Sequence, residues 1–518
     1  MRLLISILFV FVSAAVVAQP VVQWQSSYGG TGDDDADCVQ MTLTGGFVLA
    51  GISSSAMGAS TVYHGGGDFG IVNTDALGNI IWQNTYGGSS LERARCIRPT
   101  KDSGFIAVGY AGSADGDVAA NYGDVDFWVV KLDKDGHLVW AKNFGGSKAD
   151  EANAVVPTFD GGFIVAGFTL SHDSDVTGFH TGTGADCWVI KLDDTGRLQW
   201  QKTYGGTDDD VASEIIQTAD SNYVMTGFTA SADGDVTHQN GLLDMWLVKL
   251  DDTGRIIWQH TYGGSGADAA YSVKQTGGGG YIVAGSTNSA DNGIVSRGGT
   301  YWGDYWVVKT DDTGGLQWQK TYGGSRDECV QSVQHTLDGG FVLGGWTNSP
   351  DGDVVSKHDT TDYWVVKIDD TGYIQWQKTL GGSGADAGTG MVQCADSSYV
   401  IAGHTNSADG DVTTHLGGDD YWVVRLGKAR DMALATGAKS NIRVYPTLTR
   451  GSVTIGLPRA CTGAAVSVTN MMGQCVAFSQ VSGQMGQLFL DAQLPNGMYI
   501  LEVSGGSERQ FFKIDLCR

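Results

Sequence analysis

Proline is scarce in this chain, seven residues in 518, while glycine is abundant at 77. That balance excludes polyproline segments and fits short strands joined by tight turns. Basic residues are also few. There are 32 Lys and Arg against 57 Asp and Glu, a formal charge of −25. Residues 1–439 alone hold 26 basic against 53 acidic side chains. Such a body repels phosphate backbones, so no nucleic-acid partner is expected. Cations, or surfaces that display them, suit it better. After residue 18 no run is long and apolar enough to span a membrane. The ten histidines show no HExxH or other metal spacing, and there is no Gly-x-Ser-x-Gly elbow. Glutamate is rare in the body, at Glu92, Glu151, Glu214 and Glu328. Aspartate occurs everywhere, so counting carboxylates does not single out a glycosidase pair.

What the chain has instead is one unit written seven times. A "WQKTYGG"-like block starts at Trp24, Trp82, Trp140, Trp200, Trp258, Trp318 and Trp376. A "GGFIVAG"-like block reaches its aromatic at Phe47, Phe105, Phe163, Tyr223, Tyr281, Phe341 and Tyr399. A "DYWVVKLD"-like block starts at Asp68, Asp126, Asp186, Asp244, Asp304, Asp362 and Asp420. In repeat five the pattern predicts strands at 271–276, 281–287, 304–310 and 316–322, rich in β-branched and aromatic residues. Asp311-Asp312-Thr313-Gly314 supplies a hairpin turn between the last two.

Four strands per unit, repeated, build either a stacked array or a propeller. An array needs polar caps, and none is evident. The first "WQ" block has no unit before it, and the last "DYWVVRL" has none after it. The two orphan ends complete each other. Pairing 21–28 with 420–426 would close a ring and remove two open sheet edges. This resembles the strand-swap closure of β-propellers. It implies an all-β, seven-bladed β-propeller over 19–426, its N-terminal strand closing the last blade. Thirteen of the fifteen Trp recur in register, as blade-to-blade packing requires.

Residues 1–18 read as a secretory signal peptide, with Arg2, an apolar core from Leu3 and small residues at Val16-Val17-Ala18. Residues 427–441 break the repeat and read as a linker. Beyond them, "VYPTLTRGSVTI", "VTNMMGQCV", "LDAQLPNGMYILEV" and "FFKIDL" resemble the C-terminal sorting domain of type IX secretion, type A, over 442–518. One departure is "YPTL", where that family usually has Tyr-Pro-Asn-Pro. The resemblance implies a small C-terminal β-sandwich and the type IX machinery and its sortase as partners. It also implies passage through the periplasm to the outer-membrane surface of a Gram-negative cell, or release. The eight Cys are read as sitting at different slots of the repeats, as buried small hydrophobes, with one bridge conceivable among Cys461, Cys475 and Cys517.

Strand order places the second-to-third loops and the links between repeats on one face. That face is longer, more variable and acidic, as binding faces of repeat folds are. Two recurring acids are read as scaffold. One is the slot of Asp34, Glu92, Asp150, Asp210, Asp268, Glu328 and Asp386; the other is the third-strand Asp. A third slot is a candidate calcium set: Asp115 and Asp117, Asp173 and Asp175, Asp233 and Asp235, Asp351 and Asp353, Asp409 and Asp411. Carboxylates two apart around Gly can wrap a hard cation, or cap a turn. No other cofactor is indicated. Off-pattern aromatics Tyr301, Trp302 and Trp346 are candidate ligand-binding residues, suited to stacking on sugar faces. Arg93 and Arg95 are expected to pair with neighbouring Asp. The expected function is non-catalytic binding of a glycan or another extracellular partner at the cell surface. The alternatives are a polysaccharide-acting enzyme and a structural or adhesive protein.

Overall fold

The computed structural model describes residues 19–58, 62–299 and 302–427, and the strands of 443–516 named below. The expected signal peptide lies outside the described residues, as does the expected linker apart from Gly427, which ends a strand. Seven four-stranded antiparallel sheets follow one another as the blades of a propeller. Blade 1 comprises Asp34–Met41, Phe47–Ser53, Asp68–Thr74 and Ile80–Tyr86, from the channel outward. Blade 7 takes Asp386–Gln393, Tyr399–Thr405 and Asp420–Gly427 from one end of the repeats and Val21–Tyr28 from the other. Val22 pairs with Leu426 and Tyr28 with Tyr421, so the ring closes by the expected strand exchange.

The predicted strands of repeat five are observed, with one correction. The innermost strand starts at Asp268, three residues earlier than the alternation indicates. The reason is a β-bulge between Ala270 and Ser272, which breaks the period-two pattern. The same bulge recurs in every inner strand, after Ala36, Ala94, Ala152, Ala212, Val330 and Gly388.

Aromatic side chains pack blade against blade. The third-strand Trp128, Trp188, Trp364 and Trp422 are buried, each against an aromatic of the preceding blade: Phe69, Phe127, Tyr305 and Tyr363, at 4.5–4.7 Å between ring centroids. Blade 1 has Gly70 in the Trp slot. There the Tyr421 hydroxyl donates to Gly70 O at 2.9 Å, as Tyr305 and Tyr363 do to the Trp carbonyls of the blades that follow them. The outer-strand Trp24 reaches from blade 7 to Phe47 of blade 1, at 5.9 Å. Hairpin glycines let neighbouring blades approach. Gly314 has φ +85°, and a Cβ there would sit 2.3 Å from His260 of the preceding blade.

Buried carboxylates clamp each junction. The second Gly of every "GG" link donates its N–H to the acid four residues on: Gly146 to Asp150 at 2.8 Å, Gly88 to Glu92 at 2.7 Å. The third-strand Asp accepts from its own loop, Asp126 from Tyr122 N at 2.6 Å. Its second oxygen, Oδ1, is buried without a donor in all seven blades. The two acids converge. A Cβ built on Gly145 would lie 2.3 Å from Asp126 Oδ1 and 2.6 Å from Asp150 Oδ2. Burial, and then the neighbouring acids, push Asp126 and Asp304 up to about 7. Burial pushes Asp210 up to about 6.

A second compact unit lies beyond Ala429. One sheet orders Arg443–Tyr445, Ser452–Gly456 and Met485–Phe489. The other orders Leu448–Thr449, Glu508–Leu516, Gly497–Gly505, Ala464–Asn470 and Cys475–Val481. Ile455 and Leu488 are buried in the first, Val466, Val468, Leu501 and Val503 in the second.

The seams generate two predictions. Deleting Val21–Tyr28 leaves blade 7 with an open edge and should lower the melting temperature by roughly 10 °C; an unchanged melting curve would refute the closure. The junction acids have folded pKa values above their unfolded ones. Their stabilising contribution is therefore complete below about pH 4 and lost as pH rises through about 6–7. Thermal melts should show a higher melting temperature at pH 5 than at pH 8, and Asp126→Asn with Asp304→Asn should flatten that difference.

Candidate functional site

The seven inner strands surround a central channel, and a cavity of about 690 Å³ occupies it. Each bulge turns its extra residue to this wall. The seven are Asp37, Arg95, Asn153, Ser213, Tyr271, Gln331 and Thr389, and all line the cavity. No two are the same residue type, so the scaffold's repetition ends at the channel.

One side is charged. Arg93 grips Asp37 with two parallel bonds, Nε to Oδ2 at 2.6 Å and Nη2 to Oδ1 at 2.7 Å. It also lies 3.5 Å from Asp35. Arg95 bridges Asp37 at 3.5 Å and Glu151 at 3.7 Å, and covers the Tyr110 ring at 5.6 Å. The expected pairing of both arginines with neighbouring acids is therefore observed, across three blades. Deeper in the wall, Glu214 accepts from Lys274 Nζ at 2.8 Å, Ser272 Oγ at 2.9 Å and Val273 N at 2.7 Å. Arg98 stands 3.6 Å from it. Burial raises the Glu214 pKa, but Lys274 and Arg98 outweigh it and hold the carboxyl below its usual range.

The other side is aromatic. Trp302, in the lengthened loop of repeat five, lines the cavity and is 43% exposed. Its ring lies 6.1 Å from Tyr271 and 6.4 Å from Trp346, the latter edge-on. Two of the aromatics singled out in the sequence thus meet at the channel, joined by Tyr271, which was not singled out. Trp346 belongs to the second strand of its blade, Phe341–Thr347, rather than to the loop after it. Tyr301 lies outside the described residues.

The structure gives the carboxylates of the paired loop Asp backbone partners. The first Asp of each pair is exposed and caps one amide of the preceding link. Asp115 accepts from Ser89 N at 2.7 Å, Asp173 from Ser147 N at 2.7 Å and Asp233 from Thr207 N at 2.9 Å. Asp351 accepts from Ser325 N at 2.8 Å and Asp409 from Ser383 N at 2.7 Å. The second Asp is half-buried and turns to a different amide, that of the first Gly of the link. Asp117 accepts from Gly87 N at 3.3 Å and Asp175 from Gly145 N at 3.4 Å. Asp235 accepts from Gly205 N at 3.3 Å, with His180 Nε2 3.7 Å away. Asp353 accepts from Gly323 N at 3.2 Å and pairs with Arg297. Asp411 accepts from Gly381 N at 3.3 Å.

Within each pair the two carboxylates thus bind separate amides. The residue between each pair, Gly116, Ser174, Gly234, Gly352 or Gly410, has φ between +56° and +72°, and this turn aims the two side chains at two separate amides. Asp235, Asp353 and Asp411 are amide caps in this arrangement, as are Asp117 and Asp175. Among the described residues, the one group of three side chains spaced to hold a metal is Asp133, Asp135 and His137. It sits in a hairpin turn, where Asp133 already binds the Asp135 and His137 amides, each at 2.8 Å.

The cysteines also differ from expectation. Cys38 and Cys96 share one slot, four residues after Asp34 and Glu92, on neighbouring inner strands. Both line the cavity. All five described Cys, Cys38 and Cys96 included, are buried and free, as expected of small hydrophobes. The disulfide conceivable among the last three Cys concerns side chains outside those described.

Residues 443–514 match the family model for the secretion system C-terminal sorting domain. The chain is thus a β-propeller protein carrying a type IX sorting tail, secreted to the cell surface. Among the described residues no helix is long and apolar enough to cross a membrane. No curated protein matches the sequence. Among solved structures, PorZ, a surface component of the type-IX secretion system of Porphyromonas gingivalis, is 12% identical, with a TM-score of 0.36 over 87% of this chain. A puromycin hydrolase is 11% identical, with a TM-score of 0.43 over 83% of this chain. The aldose sugar dehydrogenase of Streptomyces coelicolor is 11% identical, with a TM-score of 0.33 over 79% of this chain and 100% of its own. The chain spans 64% of the PorZ chain and 61% of the hydrolase. Likeness this slight carries no function to the present chain.

The charged wall makes its own prediction. Arg93→Ala leaves Asp37 half-stripped of its partner in a poorly hydrated site and should cost about 2 kcal/mol of stability in urea unfolding. Arg93→Lys should recover only part, because an ammonium cannot form the two parallel hydrogen bonds. Equal stability of all three proteins would show the pair to be idle.

Proposed function

We propose that this protein is a non-catalytic surface receptor whose propeller binds a glycan at the loop-face mouth of its channel. The observation that carries the reading is Trp302. A loop lengthened in repeat five holds this half-exposed indole on the channel wall, against Tyr271 and Trp346. Sugar rings present apolar C–H faces that stack on such a surface, and ring hydroxyls take bonds from planar charged groups. Asp37, Arg93, Arg95 and Glu151 provide those groups from blades 1–3, across the ring from blades 5 and 6.

Binding is favoured over turnover because the channel carboxylates are occupied. Asp37 and Glu151 are held by arginine, and Glu214 by Lys274 and Arg98. A general acid or base needs a carboxyl that can exchange its proton near neutrality, and Glu214 is held well away from that range. In this reading the propeller of 19–426 is the cargo. The type IX machinery recognises 442–518, and a sortase then removes that segment.

A glycan array probed with the mature full chain tests the proposal, once with calcium and once with a chelator. Trp302→Ala should weaken a positive signal about tenfold while leaving the melting curve in place. A signal that survives chelation agrees with the paired Asp acting as amide caps, and loss on chelation would assign them an ion. A blank array in both conditions would overturn the glycan reading in favour of a protein partner or an adhesive role.

A further inference from the structure

Cys38 and Cys96 occupy the same slot on the inner strands of neighbouring blades, and both are buried at the channel wall. The Cys38 sulfur receives the Ile97 amide at 3.5 Å and Arg98 Nη1 at 3.4 Å. Its own thiol approaches Ile97 O at 3.7 Å. Ile97 follows Cys96, so the Cys38 sulfur packs on the strand segment that carries Cys96, while the Cys96 thiol approaches Val155 O of blade 3 at 3.9 Å. Two N–H donors, one of them cationic, are what a thiolate needs and what a merely packed thiol does not. In the same slot blades 3 and 7 carry Ala154 and Gly390.

We propose that Cys38 and Cys96 form a redox pair, with Cys38 as the attacking thiolate and Cys96 as the resolving thiol, that closes to a disulfide across the junction of blades 1 and 2. The charge distribution agrees. The Cys96 thiol, ahead of Arg98 and against burial, holds Cys38 down at about 6, while Cys96 itself is pushed up. The oxidant is a disulfide of the oxidising export compartment. The Cys38 thiolate attacks one sulfur of the donor. The donor S–S bond breaks, and one donor thiolate leaves. Cys96 then attacks the Cys38 sulfur of the mixed disulfide. The second donor thiolate leaves and takes the Cys96 proton. The protein loses two electrons, and the donor is reduced to one thiolate and one thiol. Closure also takes the negative sulfur away from Arg98, which keeps Glu214 as its acidic neighbour.

The test uses the mature full chain, reduced and then exposed to oxidised glutathione at about pH 7. Peptide mapping under non-reducing conditions should find Cys38 linked to Cys96. Cys96→Ser should instead accumulate a glutathione adduct at Cys38. In the reduced protein Cys38 should alkylate about tenfold faster than Cys96. Cys187, Cys329 and Cys394 should stay unmodified. Two free thiols in the wild type, or a stable adduct at Cys38 with no bridge to Cys96, would overturn the proposal.

Discussion

The ring depends on how one blade is fastened to the next, and a buried carboxylate does most of that fastening. The link between blades is a Gly-Gly turn whose amides would otherwise lie buried and unpaired. Asp150 and its equivalents accept the second of those amides from below, while the loop Asp173 accepts the following amide from above. A buried amide left unpaired costs about 1–3 kcal/mol, and seven junctions multiply the effect. The price is a second carboxyl, that of Asp126 and its equivalents, brought near the first with one oxygen unbonded. The seam therefore holds best when one acid of each pair carries a proton. That ties the scaffold to mildly acidic conditions without any residue dedicated to sensing pH.

Scaffold and site differ in how far they could be read from the sequence, for a physical reason. Whatever must be the same in each blade is written seven times, so the strands, the hairpin glycines, the Trp ladders and the ring closure stood out as period. The site is where blades must differ, and period is blind there. The bulge hid it further. By inserting Tyr271 or Arg95 between two buried positions, it destroyed the alternation that would have marked an inner strand facing a channel. Aligning the inner strands slot by slot would have exposed it. One slot reads Asp37, Arg95, Asn153, Ser213, Tyr271, Gln331 and Thr389. The same alignment would have put Cys38 beside Cys96 rather than at an unrelated position. Trp302 was visible because it sits in an insertion, where departure from the repeat needs no alignment. The paired loop Asp admit two readings for the opposite reason. Asp235, Asp353 and Asp411 recur because the Gly-Gly link recurs, and a carboxylate spaced to wrap a cation is spaced equally well to cap that link.

The charged wall is hard to explain as a stabilising device. Burying an ion pair costs desolvation that its own attraction barely offsets, and well-packed apolar residues often do better. This fold offers the comparison internally. Where blade 4 carries Glu214, blade 3 carries Ala154. Where blades 2 and 5 carry Arg98 and Lys274, blades 3 and 4 carry Val156 and Ile216. The apolar solution is thus available in the same molecule at equivalent backbone geometry. Four cations, Arg93, Arg95, Arg98 and Lys274, are gathered with four acids, Asp35, Asp37, Glu151 and Glu214, inside a protein of charge −25. A near-neutral, donor-rich wall within an acidic shell suits a ligand with many hydroxyls and little charge. It suits a polyanion badly, because the shell repels it, and a polycation badly, because the shell would hold it outside the channel.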